Sequence, residues 1–158
     1  MVFLDLRGFT AFTEAAEPEE VLGVLAQYHD LVGTLVAKHQ GTVEHFAGDG
    51  LMIFFNDPMP LPDAPQQAIT MAVTLREQFA PLRERWRRSG HTLDLGVGLA
   101  IGYATLGAIG FEGRREYAAI GSVNNLSARL CSEALGGQIV TNQKTLARLE
   151  DLGDAEPL

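Results

Sequence analysis

Residues 93–103 constrain the fold of this chain more than any other stretch. Leu93, Leu95, Val97, Leu99 and Ile101 alternate with Gly96, Gly98, Ala100 and Gly102. A period of two is a β-strand, and one face of this strand is almost bare of side chains. The apolar face belongs on a core. The bare face admits another backbone, a partner or a ligand at close range. A strand over 93–103 therefore requires a sheet covered on its apolar side.

The rest of the chain supplies that cover. Helical spacing runs over 17–39, with Pro18 in the first turn and Glu17, Glu19 and Glu20 at the positive end. Val21, Leu25, Tyr28, Val32 and Leu35 form its apolar stripe, and Gly41 stops it. Strands are predicted over 42–46 and 51–55. A loop with Pro58, Pro60 and Pro62 follows, read as a mobile surface excursion. Asp63 is expected to cap the next helix, with Ile69, Ala72, Val73, Phe79, Leu82 and Trp86 inward and a kink at Pro81. After the 93–103 strand come a strand over 104–110, a charged turn over 111–116, and a short strand over 117–120. A helix to about 135, a strand over 138–141 and a helix from Asn142 to about 150 complete the chain. This order is a ferredoxin-like βαββαβ core with appended strand–helix units: an α+β sandwich with helices on one face of the core sheet, in a single domain over 1–158.

Composition narrows the function. The chain has 158 residues, 46% hydrophobic and 20% charged, with a net charge of −8. That balance fits a globular domain and argues against a nucleic-acid surface, which needs a basic patch. Arg83, Arg85, Arg87 and Arg88 read instead as a solvated helix end. No apolar run is long enough to span a membrane and no signal peptide is evident, so a cytoplasmic location is expected. The single cysteine, Cys131, lies in an apolar helical pattern and reads as a buried small residue. The abrupt first strand and the polar last residues read as a fragment of a longer protein.

Two carboxylates carry the chemistry. Asp49 sits at the tip of the tight turn Ala47-Gly48-Asp49-Gly50 between two strands. An Asp there is ordinarily only a turn residue. Asp5 ends the apolar run from Met1 to Leu4, and Gly8, Phe9 and Thr10 lead into a helical region. Two acidic side chains at strand ends, each near glycine, suit Mg²⁺ and a triphosphate.

The segments around Asp5 and Asp49 resemble the two metal-binding segments of class III nucleotidyl cyclases, of the bacterial homodimeric type. A third segment, Tyr117 to Leu130, resembles that family's Tyr…Gly…Val-Asn-x-Ala-x-Arg-Leu segment, with Asn124 where the family usually has Val. The segments stand in the family's order and the resemblance covers nearly the whole chain. It implies an enzyme, a phosphorus–oxygen lyase that makes a 3′,5′-cyclic nucleotide and pyrophosphate from a nucleoside triphosphate, ATP first and GTP close behind. It implies two Mg²⁺ or Mn²⁺ ions per site, held by Asp5, Asp49 and the Leu6 carbonyl. Gly8, Phe9 and Thr10 would meet phosphate, Asn125 the ribose and Arg129 the α-phosphate. The family's site lies between subunits, so the resemblance implies a homodimer, here with a sensor domain upstream.

The base-reading positions depart from the family pattern. Adenylyl cyclases usually carry Lys four residues before the second metal Asp, with Asp or Thr after the Tyr of the third segment. Guanylyl cyclases carry Glu and a small residue. Here His45 and Ala118 occupy them. Neutral His either donates or accepts, and Ala reads nothing. Glu44 is expected to face away from His45, because strand side chains alternate. A base-promiscuous or guanylyl cyclase is the alternative. A non-catalytic nucleotide-binding and dimerisation module is the alternative of another class. A diguanylate cyclase ranks low, because the Asp49 turn lacks that family's consecutive acidic residues.

Overall fold

The computed structural model describes residues 1–149 and 155–157. Strands β1 (Val2–Arg7), β2 (Thr42–Ala47), β3 (Gly50–Phe54), β4 (Asp94–Leu99) and β7 (Ile139–Thr141) form one sheet in the order β2-β3-β1-β4-β7. β1 runs antiparallel to β3 and β4, and β7 parallel to β4. β5 (Thr105–Phe111) and β6 (Arg114–Ile120) make a separate two-stranded arm. The first four sheet strands, with helices α2 (Pro18–Lys38) and α3 (Ala64–Arg88), are the expected βαββαβ core. A short α1 (Phe9–Ala15) precedes α2, and α4 (Ser122–Glu133) and α5 (Gln143–Leu146) follow the arm.

Alternation on the two central strands sorts the layers. Val2, Leu4 and Leu6 of β1 join Leu93, Leu95, Val97 and Leu99 in a core shared with α2 and α3. The opposite face of β4 meets α4. A Cβ on Gly98 would lie 2.1 Å from the Ser127 carbonyl oxygen, so the bare face seats a helix backbone. Helices thus cover both faces, where the core motif alone predicted one. From α2, Val24, Tyr28, Val32, Leu35 and Val36 are buried, while Val21 and Leu25 are only half-buried. From α3, Ala72, Leu75, Phe79, Leu82 and Trp86 are buried, and the helix continues through Pro81.

Several boundaries differ from the sequence reading. β4 ends at Leu99, which pairs with Val2, and Ala100 still exchanges backbone hydrogen bonds with Met1 at 3.0 and 2.9 Å. Ile101 then gives its N–H to the Thr145 hydroxyl, 3.0 Å away. The charged 111–116 segment is mostly paired: Phe111 faces Arg114 across a tight turn holding Gly113 at φ 87°. The proline loop is tied down. The Thr42 hydroxyl donates to the Asp57 carbonyl at 2.9 Å, the Tyr117 hydroxyl to the Asp57 carboxylate, and Leu61 N–H to Asn56 Oδ1 at 2.6 Å. Asp63 does not cap α3; its carboxylate accepts from Gln67 Nε2 instead. Asn142 does cap α5, accepting from Thr145 N–H. That helix ends at Leu146, and residue 150 lies outside the described residues.

Candidate active site

Asp5 and Asp49 come together because β1 and β3 are neighbours. Leu4 pairs with Leu51, so the tip of the β2–β3 hairpin lies beside the end of β1. At that tip Gly48 takes φ 66°, which a glycine adopts without strain. Asp49 folds back so that its Oδ2 accepts the Leu6 N–H at 3.0 Å. The Asp5 carboxyl is pushed up from 3.8 to about 6, first by burial, then by a hydrogen bond to Asp49 and the repulsion of its charge. Two carboxylates crowded in this way, beside the Leu6 carbonyl, are the hard oxygen donors that a divalent cation such as Mg²⁺ takes, with phosphate oxygens and water completing its shell. Among the described residues no group of three or more His, Cys, Asp or Glu side chains forms a metal site.

Arg7 is a part of this site that the sequence reading left without a role. Its Nη1 lies 2.6 Å from Asp5 Oδ2, its Nε donates to the Ala134 carbonyl at 2.9 Å, and its Nη2 donates to the Cys131 carbonyl. Those carbonyls end α4, where a cation suits the helix dipole. Gly96 makes the room, since a Cβ there would lie 2.5 Å from Nη2. The sequence held half of the signal, since Arg7 shares a strand face with Asp5, while the β1–β4 register is what sets Gly96 across from them. Cys131 itself is buried, and its thiol is raised to about 11 chiefly by that burial, so it is no nucleophile. Tyr28 is buried whole, and its pKa is driven far up by desolvation and then by the charges of Asp49 and Asp5.

α1 begins at Phe9, four residues after Asp5. Gly8 occupies its N-cap at φ 84° with no side-chain cap, and a Cβ would lie 2.6 Å from the Thr92 carbonyl. The amides of Phe9 and Thr10 open this helix, where backbone N–H groups have no intrahelical acceptor.

Asn125 and Arg129 lie on the solvent face of α4, opposite the buried Val123, Ser127 and Cys131. Neither side chain has a partner among the described residues. They are not joined to Asp5 or Asp49 within one chain.

The two base-reading positions are joined by a residue set aside in the sequence. A bulge shifts the β2–β3 register between Val43 and His45, so Glu44 does not simply face away from its neighbour. Glu44 Oε2 lies 3.6 Å from His45 Nδ1, and Oε1 accepts the Ala119 N–H at 2.8 Å. The Ala119 carbonyl is held in turn by the Asn124 side chain, the residue that departs from the family pattern. Ala118 is buried and His45 exposed.

A family model for the adenylate and guanylate cyclase catalytic domain matches residues 1–156, and the chain belongs to that family. It is similar to adenylate cyclase 1 of Rhizobium meliloti (strain 1021), 29% identical over 160 residues, covering 99% of this chain and 24% of the relative. Among solved structures it resembles the adenylyl cyclase CyaB from P. aeruginosa, with TM-score 0.88 and 33% identity over 93% of this chain and 77% of that one. It resembles the guanylyl cyclase Cya2 equally, with TM-score 0.89 and 32% identity over 95% and 77%. The chain thus spans about a quarter of the length of that curated relative. No helix among the described residues is long and apolar enough to cross a membrane.

Proposed function

We propose that this domain converts ATP to 3′,5′-cyclic AMP and pyrophosphate at two equivalent sites of a head-to-tail homodimer, and accepts GTP as well. The observation that carries this reading is the convergence of Asp5 and Asp49, 44 residues apart in sequence, with the Leu6 amide holding the second carboxylate. Asp5, Asp49 and the Leu6 carbonyl would hold two Mg²⁺ or Mn²⁺ ions. When bound, these neutralise phosphate charge and lower the pKa of the ribose 3′-hydroxyl.

The chain's own residues do the rest. Phe9 and Thr10 amides, presented by Gly8, receive phosphate oxygens. Asn125 of the second subunit orients the ribose so that its 3′-oxygen lies in line with the α-phosphorus. Arg129 of that subunit holds the α-phosphate as its charge grows, and the pyrophosphate leaves on the opposite side. The outward position of Asn125 and Arg129, without partners among the described residues, supports a site completed by a second chain. Ile109, Phe111 and Ile120 of the β5–β6 arm, with Tyr103 at 97% exposure, give apolar surface for that chain to cover.

His45 reads the base, and Ala118 occupies the second base-specifying position without a polar group of its own. Similar structures are named for either purine cyclase, and the short Ala118 side chain leaves room for both. The test is a product assay by mass spectrometry with ATP, GTP, CTP and UTP, in Mg²⁺ or Mn²⁺, beside Asp5→Ala. Cyclic AMP lost in the control supports the reading. No cyclic product from dimeric protein would replace it with a non-catalytic nucleotide-binding module.

A further inference from the structure

Resting on that cyclase reading, we propose that Glu44 is the positioning residue that decides which purine His45 accepts. Its carboxylate is buried, and Oε2 has no hydrogen-bond partner within the chain. A buried carboxylate oxygen without a donor is costly, and a charged one more so. The imidazole of His45 faces it, with Nδ1 at 3.6 Å, just beyond hydrogen-bond distance. The neutral ring carries one N–H. Turning it toward Glu44 satisfies the orphaned oxygen and leaves Nε2 as a bare acceptor on the exposed side of the ring, as second partners do for other histidines.

A bare acceptor selects among purines. Guanine offers N1–H and a 2-amino group along its Watson–Crick edge. Adenine offers the lone pair of N1 at the matching position. Glu44 therefore tilts His45 toward a carboxylate-like acceptor, which admits guanine and accounts for the acceptance of GTP beside ATP, whereas an ammonium at this position would exclude it. The same carboxylate accepts the Ala119 N–H, so it also fixes the backbone beside Ala118. One residue thus sets the geometry of both base-reading positions, which stand 73 residues apart in sequence. The bulge at Glu44 is what makes this possible, since regular alternation would send its side chain to the opposite face.

Glu44→Gln tests this with little change of shape. The Gln carbonyl oxygen keeps the Ala119 bond, and its amide then faces Nδ1 as a donor. Nδ1 becomes the acceptor and Nε2 carries the proton. Binding of 3′-deoxy-GTP and 3′-deoxy-ATP in Mn²⁺ at pH 8, by calorimetry, should show the affinity ratio moving about tenfold toward adenine, the order of one hydrogen bond. The ¹⁵N spectrum of His45 should show the proton moving from Nδ1 to Nε2. With His45→Ala in place, Glu44→Gln should no longer move the ratio.

An unmoved ratio overturns the proposal, as does a wild-type ring already protonated on Nε2. A shift that survives in His45→Ala also overturns it, because Glu44 would then act through Ala119 alone. These measurements need no turnover. Binding of both analogues without cyclic product fails the cyclase reading alone, whereas turnover with an unmoved ratio fails this proposal alone. Binding of neither analogue overturns both.

Discussion

The Asp49 carboxylate accepts the backbone N–H of Leu6 across 3.0 Å, joining the tip of one hairpin to the end of the strand that carries Asp5. The bond has two consequences that mutation separates. Asp49→Asn keeps an oxygen for the Leu6 N–H and removes the charge. Asp49→Ala removes both. Cyclic nucleotide formation is expected to fall by roughly 10³-fold or more in each, on the scale of losing a preorganised charge in a closed site. Thermal unfolding in EDTA should separate them, with Asp49→Ala the less stable by about 1 kcal/mol, the worth of one hydrogen bond. Equal melting temperatures would show that the Leu6 bond contributes nothing to stability.

Asp5 makes the metal-free protein pH-sensitive. Its carboxyl is raised from 3.8 to about 6 by burial and by Asp49. Between these values the folded state holds the proton more tightly than the unfolded one. Stability therefore falls as pH rises through this window and stays at its lower level above it. Asp5→Asn removes the effect. Because the Asp5 side chain keeps 33% of its exposure, screening leaves about 1 kcal/mol of stabilisation at pH 8. Near pH 4 the variant and the wild type should unfold alike. Denaturant melts in EDTA measure both differences, and added Mn²⁺ should stabilise only the wild type.

The subunit arrangement has its own experiment. Asp49→Ala and Arg129→Ala are each expected to be inactive as homodimers, since every site lacks one half. Mixed and re-equilibrated, they form heterodimers with one complete site and one doubly broken site. Cyclase activity should reappear in the mixture. Persistent inactivity in verified heterodimers would place Asp49 and Arg129 in the same site within one chain.

Gly98 carries the α4 contact. A methyl group there would lie 2.1 Å from the Ser127 carbonyl oxygen and 2.2 Å from the Cys131 amide nitrogen, both backbone atoms. Gly98→Ala should destabilise the domain by roughly 3 kcal/mol or more, at the severe end of overpacking. Gly96→Ala instead meets the Arg7 guanidinium, the far end of a flexible side chain, at 2.5 Å. It should unfold less readily than Gly98→Ala, while loosening Arg7 from Asp5 and, with that competing cation displaced, tightening Mn²⁺ binding. Urea titration and metal calorimetry of the pair read the two effects separately.

Much of this was legible in the chain itself. The period-two stretch around Val97, the helical stripe through Tyr28, Val32 and Leu35, and the glycine-flanked Asp49 are local patterns. Each element forms for reasons contained within a few residues. The elements and their order predicted the βαββαβ core, and the three segments in sequence order pointed to the cyclase family. What no local pattern held was which face each element met. That α4 would lie across Gly98 and that Arg7 would reach its terminal carbonyls depended on neighbours far away in sequence. Glu44 shows the limit most sharply. Strict alternation placed it away from His45, but a bulge is a property of two paired strands and not of one. Pairing then set its carboxylate between His45 and Ala119, because packed backbones, rather than the residues beside Glu44 in the chain, decide where a buried charge finds its donors.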